Sequence, residues 1–125
     1  MLKIAQAIDG KEIKTMKKQI KNNVGWVGKV DWELKQFHGN EFSTNHGSTY
    51  NAYLVQEEKT VLIDTVWKPY DKEFVANLSK EIDLSTIDFV VANHGEVDHS
   101  GSQRFTAGIA GANSRCSDLL YRKCR

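Results

Sequence analysis

Asp88-Phe89-Val90-Val91-Ala92-Asn93-His94-Gly95-Glu96-Val97-Asp98-His99-Ser100-Gly101 is the stretch whose reading decides the fold of this chain of 125 residues. Residues 88–92 form a short apolar run behind one carboxylate, the pattern of a strand buried on both faces. From Asn93 onward the chain must then be the loop at the carboxyl end of that strand, where ligands gather in α/β sheets. The loop reads H-x-E-x-D-H, four groups able to ligate a metal within six residues. In an irregular loop, alternate positions can turn toward one point while Gly95 lets the backbone approach it. Imidazole and carboxylate donors without thiolate suit iron or manganese better than a zinc site of several imidazoles or thiolates, although ligand type alone leaves zinc open. The bland alternative is that Glu96, Asp98 and the two histidines only hydrogen-bond and cap the following helix, with Asp98 near its positive end.

Working back from the loop, Phe74, Val75, Leu78 and Ile82 fall at helical spacing after Pro69, which predicts a helix over 70–81 with one buried face. Thr60-Val61-Leu62-Ile63-Asp64 is β-branched and ends in a carboxylate. It reads as a strand forming a hairpin, through Glu57-Glu58-Lys59, with the alternating run 51–56. Residues 25–30 read as the first strand. Trp26, Trp32, Tyr50 and Tyr53 are expected as core or hairpin packing residues. His46, before Gly47, is expected as a loop residue. Strands interleaved with one amphipathic helix make the class α/β.

Composition agrees with one soluble globular domain: 40% of residues are hydrophobic, 26% are charged and there is one proline. Up to Gly101 the chain holds twelve lysines, no arginine and fifteen carboxylates, whereas all four arginines and both cysteines, Cys116 and Cys124, follow it. The cysteines lack zinc or redox spacing and receive no role. Four scattered arginines without interleaved aromatics make a weak nucleic-acid footprint, so no nucleic acid is expected as partner. The apolar run 4–8 is interrupted by Gln6 and is too short for a signal-peptide core. No run approaches the roughly 18 apolar residues of a membrane span, so no membrane partner and a cytoplasmic, reduced setting are expected.

The loop and its strand resemble the first metal-binding segment of the metallo-β-lactamase fold, and more narrowly that of the flavodiiron proteins. Hydrolases of that fold usually carry H-x-H-x-D-H, whereas the flavodiiron family has glutamate where this chain has Glu96. Trp26-Val27-Gly28, Asp31-Trp32-Glu33, Phe37-His38-Gly39, the run 47–54, Leu62-Ile63-Asp64-Thr65-Val66 and Asn93-His94 agree in order, so the resemblance covers about 24–101. It implies the amino-terminal half of a metallo-β-lactamase-like αββα sandwich, truncated. It further implies that His94 and Glu96 bind one iron and Asp98 the other. His99 ligates the second iron in some members and is displaced in others, and His38 lines the substrate pocket; on the residues alone His38 reads equally as a turn histidine beside Gly39. The family reduces dioxygen to water or nitric oxide to nitrous oxide. Its electrons come from FMN in a flavodoxin-like domain and from a rubredoxin-type donor, and its members form homo-oligomers.

The resemblance also requires a histidine, a bridging aspartate and a final histidine downstream, and this chain has no histidine after His99. The organisation expected is therefore a basic leader over 1–23, a partial metallo-β-lactamase-like domain over 24–101 and an atypical tail over 102–125. Read one nucleotide later, permitted codons for 108–125 can restore a family-like helix and strand, so the tail reads as out of frame; a native amphipathic helix or cap, weakened by Gly108, Gly111 and Ser114, is the alternative. The chain alone is expected to be inactive. Its alternatives are a non-catalytic interaction module with a half metal site and, disfavoured by Glu96, a zinc-dependent metallo-hydrolase.

Overall fold

The computed structural model describes residues 17–37 and 42–110. A five-stranded sheet runs in the order β1 (Lys18–Lys21), β2 (Val24–Trp26), β7 (Tyr53–Gln56), β8 (Thr60–Ile63) and β9 (Phe89–Val91). Its pairs are antiparallel except β8 with β9, which are parallel. Two short ribbons flank it, β3 (Lys29–Asp31) with β6 (Ser48–Tyr50) and β4 (Gln36–Phe37) with β5 (Phe42–Ser43). The hairpin of β7 and β8 has the expected partners, with Leu54 opposite Leu62.

Parallel neighbours need a crossover. Here it is a 3₁₀ turn, Lys68–Tyr70, leading into α1 (Asp71–Glu81). Pro69 opens that turn, and Asp71 and Glu73 place negative charge in the first turn of α1. Phe74, Val75 and Leu78 are buried as the helical spacing requires, against Leu54, Leu62 and Val90 of the sheet. These three sheet residues are fully buried, each worth roughly 1.5–3 kcal/mol relative to exposure. A last helix, α3 (Gln103–Ala110), joins the same layer, burying Thr106 and Ala107 and packing half-buried Phe105 on the core. Ser102 through Ala107 are thus part of the packed body.

The opposite face of the sheet is different. By strand alternation it carries Tyr53, Val55, Val61, Ile63, Phe89 and Val91, all apolar or aromatic and all only half-buried. In β9 it is Val90 alone that is fully enclosed, so the run expected to be buried on both faces is enclosed on one. The layer that would complete a two-sided sandwich is not supplied by the described residues.

Three expectations are corrected. The strand over 25–30 divides into β2 and β3, which lie in different sheets. Val27 N–H still donates to Ala52 O at 2.8 Å, but a Cβ on Gly28 would lie 2.0 Å from Tyr50 O, so the backbone crosses there in close contact and turns away. Trp32 is 68% exposed and is no core residue, because it follows β3 out of the packed body. Polar Lys18–Lys21, within the expected leader, pairs as an edge strand, a position that lysines protect from further pairing. His46 is exposed in a turn, as expected. Cys116 and Cys124 lie outside the described residues.

Candidate metal centre

Because β8 and β9 are parallel, their carboxyl ends meet at the same edge, and the residues after each strand share one site. After β9 the chain runs through Asn93 to Glu96 and enters a single helical turn, α2 (Val97–Ser100). Asp98 and His99 therefore stand on a helix rather than in an irregular loop, a departure from the expected geometry. His99 and Ser100 N–H groups both donate to Glu96 O, at 3.0 and 2.9 Å, and these bonds close the turn. Glu96 occupies the N-cap position without a side-chain capping bond, so the capping alternative for it is not what the geometry displays.

The four motif residues come together as two pairs. His94 Nε2 lies 3.3 Å from Glu96 Oε1, with both side chains about half exposed, at 55% and 51%. His99 Nε2 lies 3.4 Å from Asp98 Oδ2, and this pair is turned inward, at 29% and 19%. The two imidazoles meet edge to face with centroids 5.4 Å apart, which joins the pairs into one patch. Among the described residues, no three His, Cys, Asp or Glu side chains converge closely enough to hold a metal ion. In kind the donors fit iron; in number they supply part of a coordination sphere. His38, the expected pocket residue, lies outside the described residues.

The residues that organise the patch come from the end of β8. Asp64 follows Ile63 with φ +60°, the left-handed region that an aspartate tolerates better than most side chains. That backbone turn points its nearly buried carboxylate across to the next strand end. Oδ1 accepts from Asn93 N–H at 2.7 Å and Oδ2 lies 3.1 Å from His99 Nδ1. Thr65 N–H and Oγ1 both donate to His99 O, at 2.8 and 2.7 Å. Ser102, fully buried, donates through N to Thr65 Oγ1 at 3.3 Å and through Oγ to Val66 O at 2.8 Å. Gly101 permits this contact, since a Cβ there would lie 2.4 Å from Val97 O and 2.8 Å from Lys68 N. Asp64, Thr65 and Ser102 were not singled out from the sequence as site residues. The one signal was a polar Asp-Thr pair closing a β-branched run.

No family model matches the chain. The anaerobic nitric oxide reductase flavorubredoxin of Pectobacterium atrosepticum is 58% identical over 83 residues, which are 66% of this chain and 16% of that protein. Among solved structures, the flavodiiron protein of Giardia intestinalis superposes with a TM-score of 0.77 at 30% identity, covering 91% of this chain and 28% of the other. The rubredoxin oxygen:oxidoreductase of Desulfovibrio gigas gives 0.78 at 34% identity over 86% and 27%. A metallo-β-lactamase of Cronobacter sakazakii, 15% identical with a TM-score of 0.64 over 86% and 36%, shares the fold alone. The chain thus spans about a sixth of the flavorubredoxin's length and little more than a quarter of each flavodiiron structure. Its fold is that of a partial metallo-β-lactamase-like domain, and in sequence it is similar to a segment of these flavodiiron proteins.

Proposed function

We propose that the chain is the first metal-loop segment of a non-haem diiron oxidoreductase that reduces nitric oxide to nitrous oxide or dioxygen to water. The observation that supports this reading is Glu96 at the outward end of the patch, paired with His94 where the hydrolases of the same fold carry a second histidine. In this reading His94 and Glu96 serve one iron and Asp98 the other, with His99 beside it. Iron held there would supply redox chemistry and a seat for the small molecule. The chain's own contribution is positional: Asp64 and Thr65 fix the α2 turn, and the His94–Glu96 pair is held half exposed beside it. FMN on a flavodoxin-like domain and a rubredoxin-type donor would deliver electrons, in the cytoplasm, and this chain alone would be inactive.

A chimera tests the proposal. Residues 24–101 replace their counterpart in the full-length Pectobacterium relative, and iron content and nitric oxide and dioxygen consumption are measured. The expected result is an iron-loaded, active chimera that loses iron and activity on Glu96→Ala. A folded chimera that takes up no iron, or one indifferent to Glu96→Ala, overturns it. The half-covered sheet face favours a second reading, a non-catalytic interaction module. That reading gains if the isolated chain binds no iron yet forms a stable complex through Val61, Ile63 and Val91.

A further inference from the structure

The loop that leads into α2 holds metal donors in a number that one chain does not complete. His94 Nε2 and Glu96 Oε1 stand 3.3 Å apart. Two donors bound to one divalent ion at about 2.0–2.1 Å in tetrahedral geometry are separated by roughly 3.3–3.4 Å, so the spacing of this pair already matches one edge of a tetrahedral site. The inner pair, His99 Nε2 and Asp98 Oδ2 at 3.4 Å, has a similar span but is turned into the body. Among the described residues no group of three His, Cys, Asp or Glu converges on one ion, so each pair supplies two corners and no more. The outer pair is placed to meet donors from another molecule. Residues 93–97 are all exposed, and a Cβ built on Gly95 meets no atom within 4 Å, so a second backbone can approach the loop there. Val97, next to Glu96, is 63% exposed and adds apolar surface to such a contact.

We propose that two copies of this chain close one divalent-cation site between them, each contributing His94 Nε2 and Glu96 Oε1. The inference rests on the metal-loop reading above and deepens it, naming a second copy as the source of the donors that one chain lacks. A second copy fits by count: a two-fold axis through the ion presents the same pair twice, giving two imidazoles and two carboxylates and a closed set of four donors. It fits by charge as well. Two Glu96 carboxylates neutralise the two charges of the ion, whereas without the ion they face each other as like charges, so the contact forms only when metal is present. Mixed imidazole and carboxylate ligation in a tetrahedron suits a first-row divalent ion such as zinc or cobalt(II). The inner pair is left out because it is less exposed, at 29% and 19% against 55% and 51%, and because His99 Nδ1 is already engaged by Asp64.

The test titrates cobalt(II) into the full chain, at a dilution where the metal-free chain sediments as a monomer, and follows visible d–d absorption together with sedimentation velocity. Both signals are expected to saturate at one cobalt per two chains, with the absorption of a tetrahedral ion and the sedimentation of a dimer, and EDTA is expected to reverse both. His94→Ala and Glu96→Ala, at half-exposed positions, are expected to abolish the dimer, and His46→Ala, at an exposed histidine outside the loop, to leave it intact. Saturation at one cobalt per chain with unchanged sedimentation, or a dimer that survives Glu96→Ala, overturns the shared site; the wild-type stoichiometry decides this whether or not a variant folds. The functional reading fails separately. A chimera that loads iron and loses it on Glu96→Ala, beside a chain that stays monomeric with cobalt, overturns the shared site alone. A cobalt-bridged dimer beside a chimera indifferent to Glu96→Ala supports the shared site and overturns the functional reading.

Discussion

Asp64 is the residue on which the geometry of the metal loop turns. Its Oδ2, 3.1 Å from His99 Nδ1 and closer than Asp98 Oδ2 is to Nε2 at 3.4 Å, favours the neutral tautomer with the proton on Nδ1. Asp64→Asn keeps the acceptor for Asn93 N–H and a side chain that tolerates φ +60°, but it can place an amide N–H against Nδ1. Neutral His99 then relieves the clash by moving its proton to Nε2, where it donates toward Asp98. The stability cost is about 1–2 kcal/mol, one hydrogen bond to a charged acceptor exchanged for a neutral one. Metal affinity of the loop falls about 10–100-fold, the usual effect of losing an outer partner of a ligating imidazole. Asp64→Gly loses both bonds, about 3 kcal/mol. Asp64→Ala adds roughly 1 kcal/mol more, because alanine must hold a left-handed backbone that glycine adopts freely. Long-range ¹H–¹⁵N NMR of the histidine rings, well above the ordinary histidine pKa of about 6.5, reads the tautomer, and urea titration reads the three stabilities. Wild-type His99 with its proton on Nε2, or an Asp64→Asn variant whose tautomer is unchanged, would refute this role for Asp64.

Asp31, whose carboxyl is held below its ordinary range by its hydrogen bonds despite burial, supplies stability that is fully present above the unfolded value of about 3.9. That contribution is lost as pH falls through the lower folded value. The gap between the urea midpoints of wild type and Asp31→Asn should therefore narrow on acidification below about pH 4; a constant gap would count against the ionised carboxylate. Gly47→Ala places a Cβ 1.9 Å from Asp31 O at φ +74° and should cost about 2–4 kcal/mol in a thermal melt. Leu62→Ala, at a fully buried position between β7 and β9, should cost about 2–5 kcal/mol. Val91→Lys, on the half-covered face, should lower the sedimentation-detected association of the chain at high concentration.

The elements with a clear period were legible in the sequence. The helix follows Phe74, Val75 and Leu78, and the hairpin of β7 and β8 follows the alternation around Leu54 and Leu62, because in each case burial on one face sets the pattern. The metal loop was legible as residue types but not as a shape: that Asp98 and His99 sit on a helical turn depends on backbone bonds to Glu96 O and on the latch at Thr65, both set by tertiary contact. Asp64 was placed at a strand end, yet its role requires knowing that β8 and β9 are parallel neighbours, separated in sequence by a whole helix. The division at Gly28 was hidden for a similar reason, since the obstacle there is Tyr50 O from another strand. Edge strand β1 carries no apolar period because an edge has little to bury.

The two buried carboxylates near the loop show how one fold separates a structural charge from a chemical one. Asp31 is surrounded by donors that stay in place, the Tyr50 phenol and two backbone N–H groups, so its charge is held inside the body and ties β3 to β6. Asp64 spends one oxygen on Asn93 N–H and gives the other to an imidazole whose far nitrogen faces outward. Only the second arrangement transmits anything to the surface: it sets which nitrogen of His99 is free and where α2 begins. The His94–Glu96 pair is far more exposed than His99 with Asp98. An incoming metal would therefore meet a fixed inner donor and an adjustable outer pair, and further donors would have to immobilise the outer side. This asymmetry explains why Asp64→Asn should reach the loop's chemistry through His99, while a change at Glu96 should act on affinity directly and leave the fold unaltered.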